Sequence, residues 1–252
     1  MLMRLGKLFI SLIHEETSLK MKKKILVFSG AGVSAESGIS TFRDSNGLWE
    51  NHSIEEVASH EGWRRNPSLV LDFYNKRRAQ LKEVEPNEAH KLIADLEMKY
   101  DVTVVTQNVD NLHERAGSSR VIHLHGELTK VRPENRLDKA VEWTEDLHLG
   151  DVCENGFQLR PHIVWFGEIL NEEYINSSRL AAESADVCII IGTSLQVYPA
   201  NEIPYFTKKD CLIYVIDPNA SDLYLSGNYS NIHLLNAVAS EGMKIVCEKL
   251  EP

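Results

Sequence analysis

A chain of 252 residues, 43% of them apolar and 25% charged, has the size and composition of one globular domain with a lobe inserted into it. Its 27 Lys and Arg residues against 37 Asp and Glu give a formal net charge of −10 at pH 7, which argues against nucleic acid as the main ligand because phosphate binding needs a basic surface. No apolar run approaches the roughly 18 residues of a membrane span, so we expect no membrane partner.

Residues 1–20 carry a short apolar patch after basic residues, without the small-residue cleavage site of a signal peptide. We interpret them as an extension before a domain that begins near Met21. The four cysteines, Cys153, Cys188, Cys211 and Cys247, form no CxxC pair. This usage indicates a reducing compartment, and we expect a cytoplasmic protein.

From Met21 onward, β-rich runs alternate with helix-like stretches. The predicted strands cover residues 24–29, 102–106, 120–125, 162–166, 186–192, 211–217 and 232–236, and helices are predicted over 172–184 and 239–250. Several of the runs are apolar without alternation, which is typical of parallel strands covered on both faces. We therefore predict an α/β fold with one parallel sheet and helices on both of its faces.

Two stretches interrupt this pattern. Residues 44–86 turn helical and contain several aromatic residues and the basic cluster of residues 76–78. Residues 127–158 are charged and irregular, with no clear strand or helix period. We expect the two stretches to form one small lobe beside the sheet.

A glycine turn follows the first predicted strand. Residues 30–35, GAGVSA, match the G-x-G-x-x-G/A pattern, in which backbone N–H groups and a helix N-terminus hold a pyrophosphate. The alternative is a turn that feeds a helix and binds no ligand. A plain dehydrogenase would continue with a second strand and an acid for the ribose, whereas this chain continues SGISTFRDSNGLW.

Five motifs carry a resemblance to a known family. They are GAGVSAESGISTFRDSNGLW (30–49), TQNVDNLHERAG (106–117), HLHGE (123–127), RPHIVWFGE (160–168) and GTSLQVYPA (192–200). Their order and spacing resemble those of the sirtuins, the NAD-dependent protein deacylases, from about residue 23 to the C-terminus. The resemblance implies a Rossmann-like NAD-binding domain (21–43, 87–126 and 159–252), a small lobe (44–86 and 127–158), and a cleft between them for NAD and an acyl-lysine protein or peptide.

The resemblance also implies a reaction. The acyl oxygen attacks the ribose C1′ as nicotinamide leaves, and a histidine activates a ribose hydroxyl against the resulting imidate, so that free lysine and O-acyl-ADP-ribose result. On a strand, His123 and His125 face the same side, so spacing alone does not choose between them. In the family the base directly precedes a glycine, which selects His125. We expect His123 to be structural and its removal to be less harmful.

Further site residues are assigned by the same resemblance. Asn108 joins His125 in catalysis. The residues expected to bind NAD are Gly30, Ala31, Gly32, Ala35, Thr41, Phe42, Arg43, Trp49, Gln107, Asn108, Asp110, Gly192, Thr193, Ser194, Asp217, Pro218, Asn219 and Ala239. The alternative for Asp110 is a cap on the helix that follows. Asp217 stands where the family often has asparagine.

Two residues predict the acyl specificity. Tyr74 and Arg77 lie three apart on a predicted helix and share a face, so a hydroxyl and a guanidinium can hold a terminal carboxylate together. The same Tyr-x-x-Arg pattern occurs in the sirtuin branch that prefers succinyl- and malonyl-lysine. The small Ser45 leaves room for a longer acyl group. The alternative is a solvated basic helix face.

The peptide is expected on the last part of the fourth motif. Val164, Phe166, Gly167 and Glu168 are assigned to substrate binding, with backbone bonds to an extended peptide and Phe166 packed on the lysine stem.

The clearest departure from the family concerns metal. Most sirtuins carry four cysteines for a structural zinc between the HG and RPxVVWFGE motifs, whereas residues 127–160 of this chain contain only Cys153. We therefore predict no metal. Instead, side chains are expected to hold the lobe, namely Leu137, Val141, Trp143, Leu147 and Phe157.

Two other functions are compatible with the motifs. One is transfer of ADP-ribose to a protein side chain, against which the Tyr74 and Arg77 pair argues. The other is a non-catalytic NAD or ADP-ribose sensor. Because Asn108, Asp110 and His125 are all present, the sequence favours the deacylase.

Overall fold

The computed structural model describes residues 22–39, 48–49, 52–135, 139–223 and 231–251, and of residues 48–49 it describes the backbone. In chain order the elements are β1 (Lys24–Ser29), β2 (Leu48–Trp49), β3 (His52–Ser53), α1 (Ile54–Val57), α2 (His60–Arg65), α3 (Pro67–Glu83), α4 (Glu88–Asp95), β4 (Asp101–Thr106), α5 (Leu112–Ala116), β5 (Val121–His123), β6 (Gly126–Pro133), β7 (Val141–Glu142), β8 (Leu159–Ile163), α6 (Glu172–Ser184), β9 (Val187–Ile191), β10 (Leu212–Asp217), β11 (Ile232–Asn236) and α7 (Ala239–Leu250). Short 3-10 segments cover Ala31–Ser37, Leu96–Met98, Ala200–Phe206 and Ala220–Asp222.

Six parallel strands form the main sheet in the order β11-β10-β9-β1-β4-β5. Ile25 and Val27 point into a core under α4 and α7, while Leu26 and Phe28 point into a second core under α6. Both faces are therefore covered, which explains the uninterrupted apolar runs. The predicted α/β fold with helices on both faces of a Rossmann-like parallel sheet is confirmed.

The strand order reverses beside β1. The chain runs from β1 to β4 and β5 on one side, and later to β9, β10 and β11 on the other. In open α/β sheets, a crevice forms outside the carboxyl ends of the strands at such a reversal. The residues that directly follow β1, β4 and β9 are therefore brought to one place.

Among the described residues, no helix is long and apolar enough to cross a bilayer.

A second, antiparallel sheet has β6 between β7 and β8. The expected boundary of the lobe at residue 158 is therefore wrong, because β8 (Leu159–Ile163) was assigned to the NAD-binding domain and pairs with the lobe strand β6 instead. The prediction that residues 162–166 form a strand of the main sheet is wrong, because β8 pairs with β6 and ends at Ile163. The sequence also gave no sign of β6. Its pairing with β8 is irregular between Glu127 and Val131, and charged residues interrupt its apolar pattern.

The lobe has its own apolar core. It includes Trp63 from α2, Phe73 from α3 and Trp165. Of the side chains predicted to hold the lobe, Leu147 is fully buried and Trp143 packs against this core. The prediction is wrong for two others, since Val141 on the edge strand β7 is 53% exposed and Phe157 in a turn is 42% exposed. Leu137 lies outside the described residues.

Buried polar groups on α3 join the two insertions. Asn75 accepts a hydrogen bond from the amide of Leu147 (2.9 Å) and donates one to its carbonyl (3.1 Å). Arg78 donates to the carbonyl of Leu128 (3.0 Å) and to the side chain of Asn75 (2.6 Å). Within the basic cluster of residues 76–78, Lys76 is therefore exposed to solvent, whereas Arg78 is buried and makes structural hydrogen bonds. We call the Asn75 and Arg78 contacts the α3 clamp.

The α3 clamp yields a stability prediction. Asn75→Ala removes two bonds to Leu147 and leaves Arg78 without one partner, so it should lower the free energy of unfolding by about 2–3 kcal/mol. Urea unfolding followed by circular dichroism measures this. Lys76→Ala, on the same helix but exposed, serves as the matched control and should stay within about 0.5 kcal/mol. Equal effects of the two substitutions would contradict the assignment.

Candidate active site

A cleft of about 880 Å³ lies outside the carboxyl ends of β1, β4 and β9, against the lobe. This volume is typical of a small-molecule site. Every residue predicted for the site whose side chain is described lines the cleft: Gly30, Ala31, Gly32, Ala35, Tyr74, Arg77, Gln107, Asn108, Asp110, His125, Val164, Phe166, Gly167, Glu168, Gly192, Thr193, Ser194, Asp217, Pro218, Asn219 and Ala239. Thr41, Phe42, Arg43, Ser45 and the side chain of Trp49 lie outside the described residues.

The glycine turn packs directly on the segment after β9. A Cβ on Gly32 would lie 2.7 Å from the Cα of Gly192, and a Cβ on Gly30 would lie 2.8 Å from the carbonyl oxygen of Gly192. Gly192 itself has a φ of +63°. The amides of Gly30, Gly32 and Val33 all donate to backbone carbonyls. The prediction that amides of this turn hold a pyrophosphate therefore fails at these three, and the glycines are needed for the close backbone contact.

His125 has one ring nitrogen fixed by the backbone. Its Nδ1 lies 2.9 Å from the carbonyl oxygen of Gln107. A carbonyl can only accept, so Nδ1 carries the proton and Nε2 is the basic nitrogen. Burial lowers the pKa of His125, although the bond to Gln107 opposes this. A neutral imidazole with a basic Nε2 at the cleft is suited to accept a proton from a hydroxyl group.

His123 is placed differently from His125. Its ring is buried, and it is absent from the cleft lining among the described residues. Its Nδ1 lies 3.0 Å from the carbonyl oxygen of Asn108 and its Nε2 lies 2.7 Å from Oε1 of Glu114. With both nitrogens bonded away from the cleft, this ring is not positioned to act as the base.

Ser34 connects the polar residues at the floor of the cleft. Its hydroxyl accepts from the amide of Asn108 (3.2 Å) and donates to the carboxylate of Asp110 (3.0 Å). Asp110 also accepts from the amide of Leu112, the first residue of α5 (3.1 Å), although Asn111 is the N-cap of that helix, and Asp110 lines the cleft as well. Burial raises the pKa of Asp110, while these two bonds oppose the rise. The polar ends of Asn108 and Asp110 are thus held at fixed positions.

Contacts across the sheet reversal hold the nucleotide side of the cleft. The hydroxyl of Thr193 donates to the side-chain oxygen of Gln107 (2.7 Å), which ties the end of β9 to the end of β4. The Glu36 carboxylate accepts from the amide and the hydroxyl of Ser240 at the start of α7 (2.9 and 2.6 Å). Asp217 is buried and accepts from the amide of Asn219 (2.9 Å).

Tyr74 and Arg77 both line the lobe side of the cleft. Tyr74 is fully buried, and its hydroxyl oxygen accepts from the indole of Trp165 (3.0 Å). Burial raises the pKa of Tyr74, so the phenol remains protonated. Arg77 is half-buried and its guanidinium carbon lies 5.7 Å from the centroid of the Phe73 ring. One face of α3 therefore brings a hydroxyl and a guanidinium to the cleft.

Glu168 has structural partners. Its carboxylate accepts from Arg160 (2.6 Å), from Arg132 (3.2 Å) and from the amide of Trp165 (2.9 Å). Burial alone would raise the pKa of Glu168, but the bonds and charge of Arg160 outweigh it and the pKa is lowered. The Arg160 guanidinium carbon also lies 3.1 Å from the centroid of the Trp165 ring. This ion pair fixes the segment on which Phe166 and Gly167 are presented.

The predicted peptide edge is partly used within the protein. The amide of Val164 donates to the carbonyl of His125, and the amide of Phe166 donates to the carbonyl of Ala58 (both 2.9 Å). These two amides therefore have no hydrogen left to donate to a bound peptide, whereas the sequence predicted backbone hydrogen bonds from this segment. The Phe166 side chain is 53% exposed, as its predicted packing on a lysine stem requires.

Several residues of the cleft were not found from the sequence. Ser34 is fully buried and does not line the cleft itself, but it bonds the lining residues Asn108 and Asp110. It stood inside the glycine motif as its hydroxyl residue, which was a usable signal. The apolar wall formed by Ile39, Ile54, Leu81 and Leu128 gave none, because its members come from separate elements and each has the pattern of ordinary core. The described residues contain no group of three or more His, Cys, Asp or Glu side chains that could hold a metal ion.

Comparison with known proteins gives consistent results. The chain matches the Sir2 family over residues 30–199. A Helicobacter pylori protein (strain ATCC 700392 / 26695) named NAD-dependent protein deacylase is 52% identical over 228 residues, 90% of this chain and 97% of that protein. A Bacteroides thetaiotaomicron protein of the same name is 50% identical over 236 residues, covering 91% and 99%. The crystal structure of a Sir2 homologue–NAD complex has a TM-score of 0.79 at 36% identity, covering 90% of this chain and 89% of that one.

The fold and the cleft define a nucleotide-binding α/β protein with a histidine and amide side chains at its switch point. The comparisons identify the family within this class of proteins. The chain belongs to the Sir2 family, and its resemblance to the sirtuins is confirmed.

Proposed function

We propose that this Sir2-family chain, an NAD-dependent protein deacylase, removes succinyl and malonyl groups from lysine side chains as well as acetyl groups. The observation that carries the acyl preference is that Tyr74 and Arg77 line the same cleft as His125. An aliphatic acyl chain can lie along the apolar wall, and its terminal carboxylate can bond the guanidinium and the phenol.

The residues of the cleft fit NAD. The glycine-only contact of Gly32 with Gly192 keeps side chains away from the nucleotide side, and the amides of Gln107 and Asn108 can bond a carboxamide and hydroxyl groups. The carboxylates of Asp110 and Asp217 are further acceptors for ribose hydroxyls. When bound, NAD supplies an electrophilic ribose carbon with nicotinamide as its leaving group.

The protein's part in the reaction is to position groups and to move one proton. The Gln107 carbonyl holds His125 as the Nδ1–H tautomer, so Nε2 accepts the proton of a ribose hydroxyl. Ser34 orients Asn108 and Asp110 through direct hydrogen bonds. These fixed dipoles need no rearrangement during reaction, which is how a preorganised site lowers a barrier.

An exposed apolar surface supports a peptide substrate. Phe166 lies at the cleft, and Tyr198, also at the cleft, is 74% exposed. Exposed apolar side chains at a cleft mark an interaction site, and an acyl-lysine stem needs such a surface.

We place the protein in the cytoplasm, because all four cysteines are free.

The acyl preference is tested by comparing peptides. Purified protein is incubated with NAD and acetyl-, succinyl- or malonyl-lysine peptides, and the masses are followed. Arg77→Met should lower kcat/KM for the succinyl peptide by about 10- to 100-fold, the value of a bond to a charged group. It should change deacetylation less than about twofold. Lys76→Met, on the exposed face of α3, is the matched control.

The outcomes separate the candidate functions. Loss of acyl groups with formation of O-acyl-ADP-ribose supports the proposal. An unchanged ratio of desuccinylation to deacetylation in Arg77→Met contradicts the acyl preference. ADP-ribose attached to a protein would indicate transfer, and unchanged peptides with intact protein would indicate a sensor.

The base assignment predicts a pH dependence. Because burial lowers the pKa of His125, its Nε2 stays unprotonated below the ordinary histidine value of about 6.5. Deacetylation should therefore decline only as the pH falls through this lowered pKa, and His125→Ala should lose about 10²- to 10⁴-fold in kcat. A kcat/KM profile with an acetyl peptide measures the acid limb, and rates at saturating substrates measure the loss of kcat in His125→Ala. An acid limb above pH 6.5 would rule out this assignment.

The lobe is proposed to need no zinc. Cys153 lies in no group of possible metal ligands among the described residues, and the α3 clamp joins the insertions without a metal. EDTA treatment followed by dialysis should leave the unfolding temperature and the deacylation rate unchanged. Mass spectrometry under native conditions should show the mass of the metal-free chain, and one zinc per chain would refute the proposal.

A further inference from the structure

Residues 123–125 bind three consecutive carbonyls in the cleft floor. The amide of Leu124 donates to the carbonyl of Thr106 (3.0 Å). The rings of His125 and His123 contact the next two carbonyls, those of Gln107 (2.9 Å) and Asn108 (3.0 Å). The two histidines thus contact the peptide carbonyls directly before and directly after the Cα of Asn108.

The partners of His123 determine its charge. A carbonyl oxygen and a carboxylate can only accept hydrogen bonds, and His123 has one at each ring nitrogen, from Asn108 and from Glu114. Both bonds are made only when both ring nitrogens carry protons. The ring is therefore an imidazolium, whereas His125, with one carbonyl partner, is neutral.

The surroundings of His123 agree with a cation. Besides Glu114 on α5, the carboxylates of Glu127 on β6 and Asp110 in the loop after β4 interact with His123. The nearby His113 adds no competing positive charge, because burial lowers its pKa well below the ordinary histidine value. Burial by itself lowers the pKa of His123, but the bond to Glu114 and its charge outweigh burial, so the pKa is raised.

We propose that His123 is a positioning residue: as an imidazolium clamped by Glu114, it fixes the Asn108 carbonyl and thereby the Asn108 amide group in the cleft. This inference rests on the proposed roles of Asn108 and His125, but not on the acyl preference. When the pH rises through the raised pKa of His123, the ring keeps a single N–H. The carboxylate of Glu114 retains it as the stronger acceptor, and the Asn108 carbonyl loses its donor. Activity should therefore have an alkaline limb that His125 does not cause.

The charge state is tested without activity. In ¹⁵N-histidine-labelled full-length protein at pH 7, both ring nitrogens of His123 should have protonated-type chemical shifts, while His125 should show one unprotonated nitrogen. His123→Asn and His125→Asn assign the signals by their loss. An unprotonated nitrogen on His123 at this pH overturns the inference, even if deacylation proceeds as proposed.

The positioning role is tested with an acetyl-lysine peptide, which has no titrating acyl group. Glu114→Gln keeps an acceptor but removes the charge, so the alkaline limb of kcat should move to lower pH while the acid limb stays. Glu127→Gln is the matched control, because it removes a nearby carboxylate that is bonded to Lys130 instead, and should move the limb less. Equal shifts in the two variants, or none, overturn the role.

A conservative rescue separates positioning from folding. His123→Ala should lower kcat at pH 7 roughly tenfold, the effect of one bond to a charged donor, with KM for NAD nearly unchanged. His123→Asn offers an amide N–H near the position of Nδ1 that does not titrate. It should restore part of kcat and remove the alkaline limb. If His123→Asn is no better than His123→Ala, although both unfold at the same temperature, the role is refuted.

Discussion

The backbone contact between the glycine turn after β1 and Gly192 after β9 is the constraint on which the site depends. Gly32 donates to the Gly192 carbonyl at 2.8 Å, and neither residue has room for a Cβ. Because the strand order reverses between these two strands, this contact sets the floor of the crevice. Thr193 then donates a hydrogen bond to Gln107, and the amide and carboxylate side chains in the loop after β4 line the same cleft as His125.

Much of the main sheet could be predicted, because each of its strands is a short apolar run between polar loops. The helices Glu172–Ser184 and Ala239–Leu250 were predicted with their observed bounds. The sheet of the lobe could not be predicted, because its strand β6 carries the charged residues Lys130 and Arg132. Lys130 forms an ion pair with Glu127, and Arg132 forms one with Glu168. A carboxylate 36 residues away from Arg132 leaves no local pattern in the sequence.

Which residues line the cleft was predictable from the sequence, but the contacts they make were not. Motif resemblance gathered residues that do line one cleft, while spacing could not separate His123 from His125. The two histidines differ in their hydrogen-bond partners. The backbone partner of His123 lies 15 residues earlier in the chain, and that of His125 lies 18 residues earlier. Likewise, the glycine pattern predicted a close approach, and only the structure shows that the approaching group is backbone and that it uses the turn's own amides.

The anchoring of Tyr74 has a consequence for how this enzyme can diversify. Tyr74 is tied through the Trp165 indole to Arg160 and Glu168, so its wall of the cleft is continuous with the lobe core. Arg77, one turn further along α3, is only half-buried. Under the proposed role of Arg77, new acyl preferences arise by exchange of the outer side chain while the inner one keeps the scaffold intact, which separates the evolution of selectivity from that of stability.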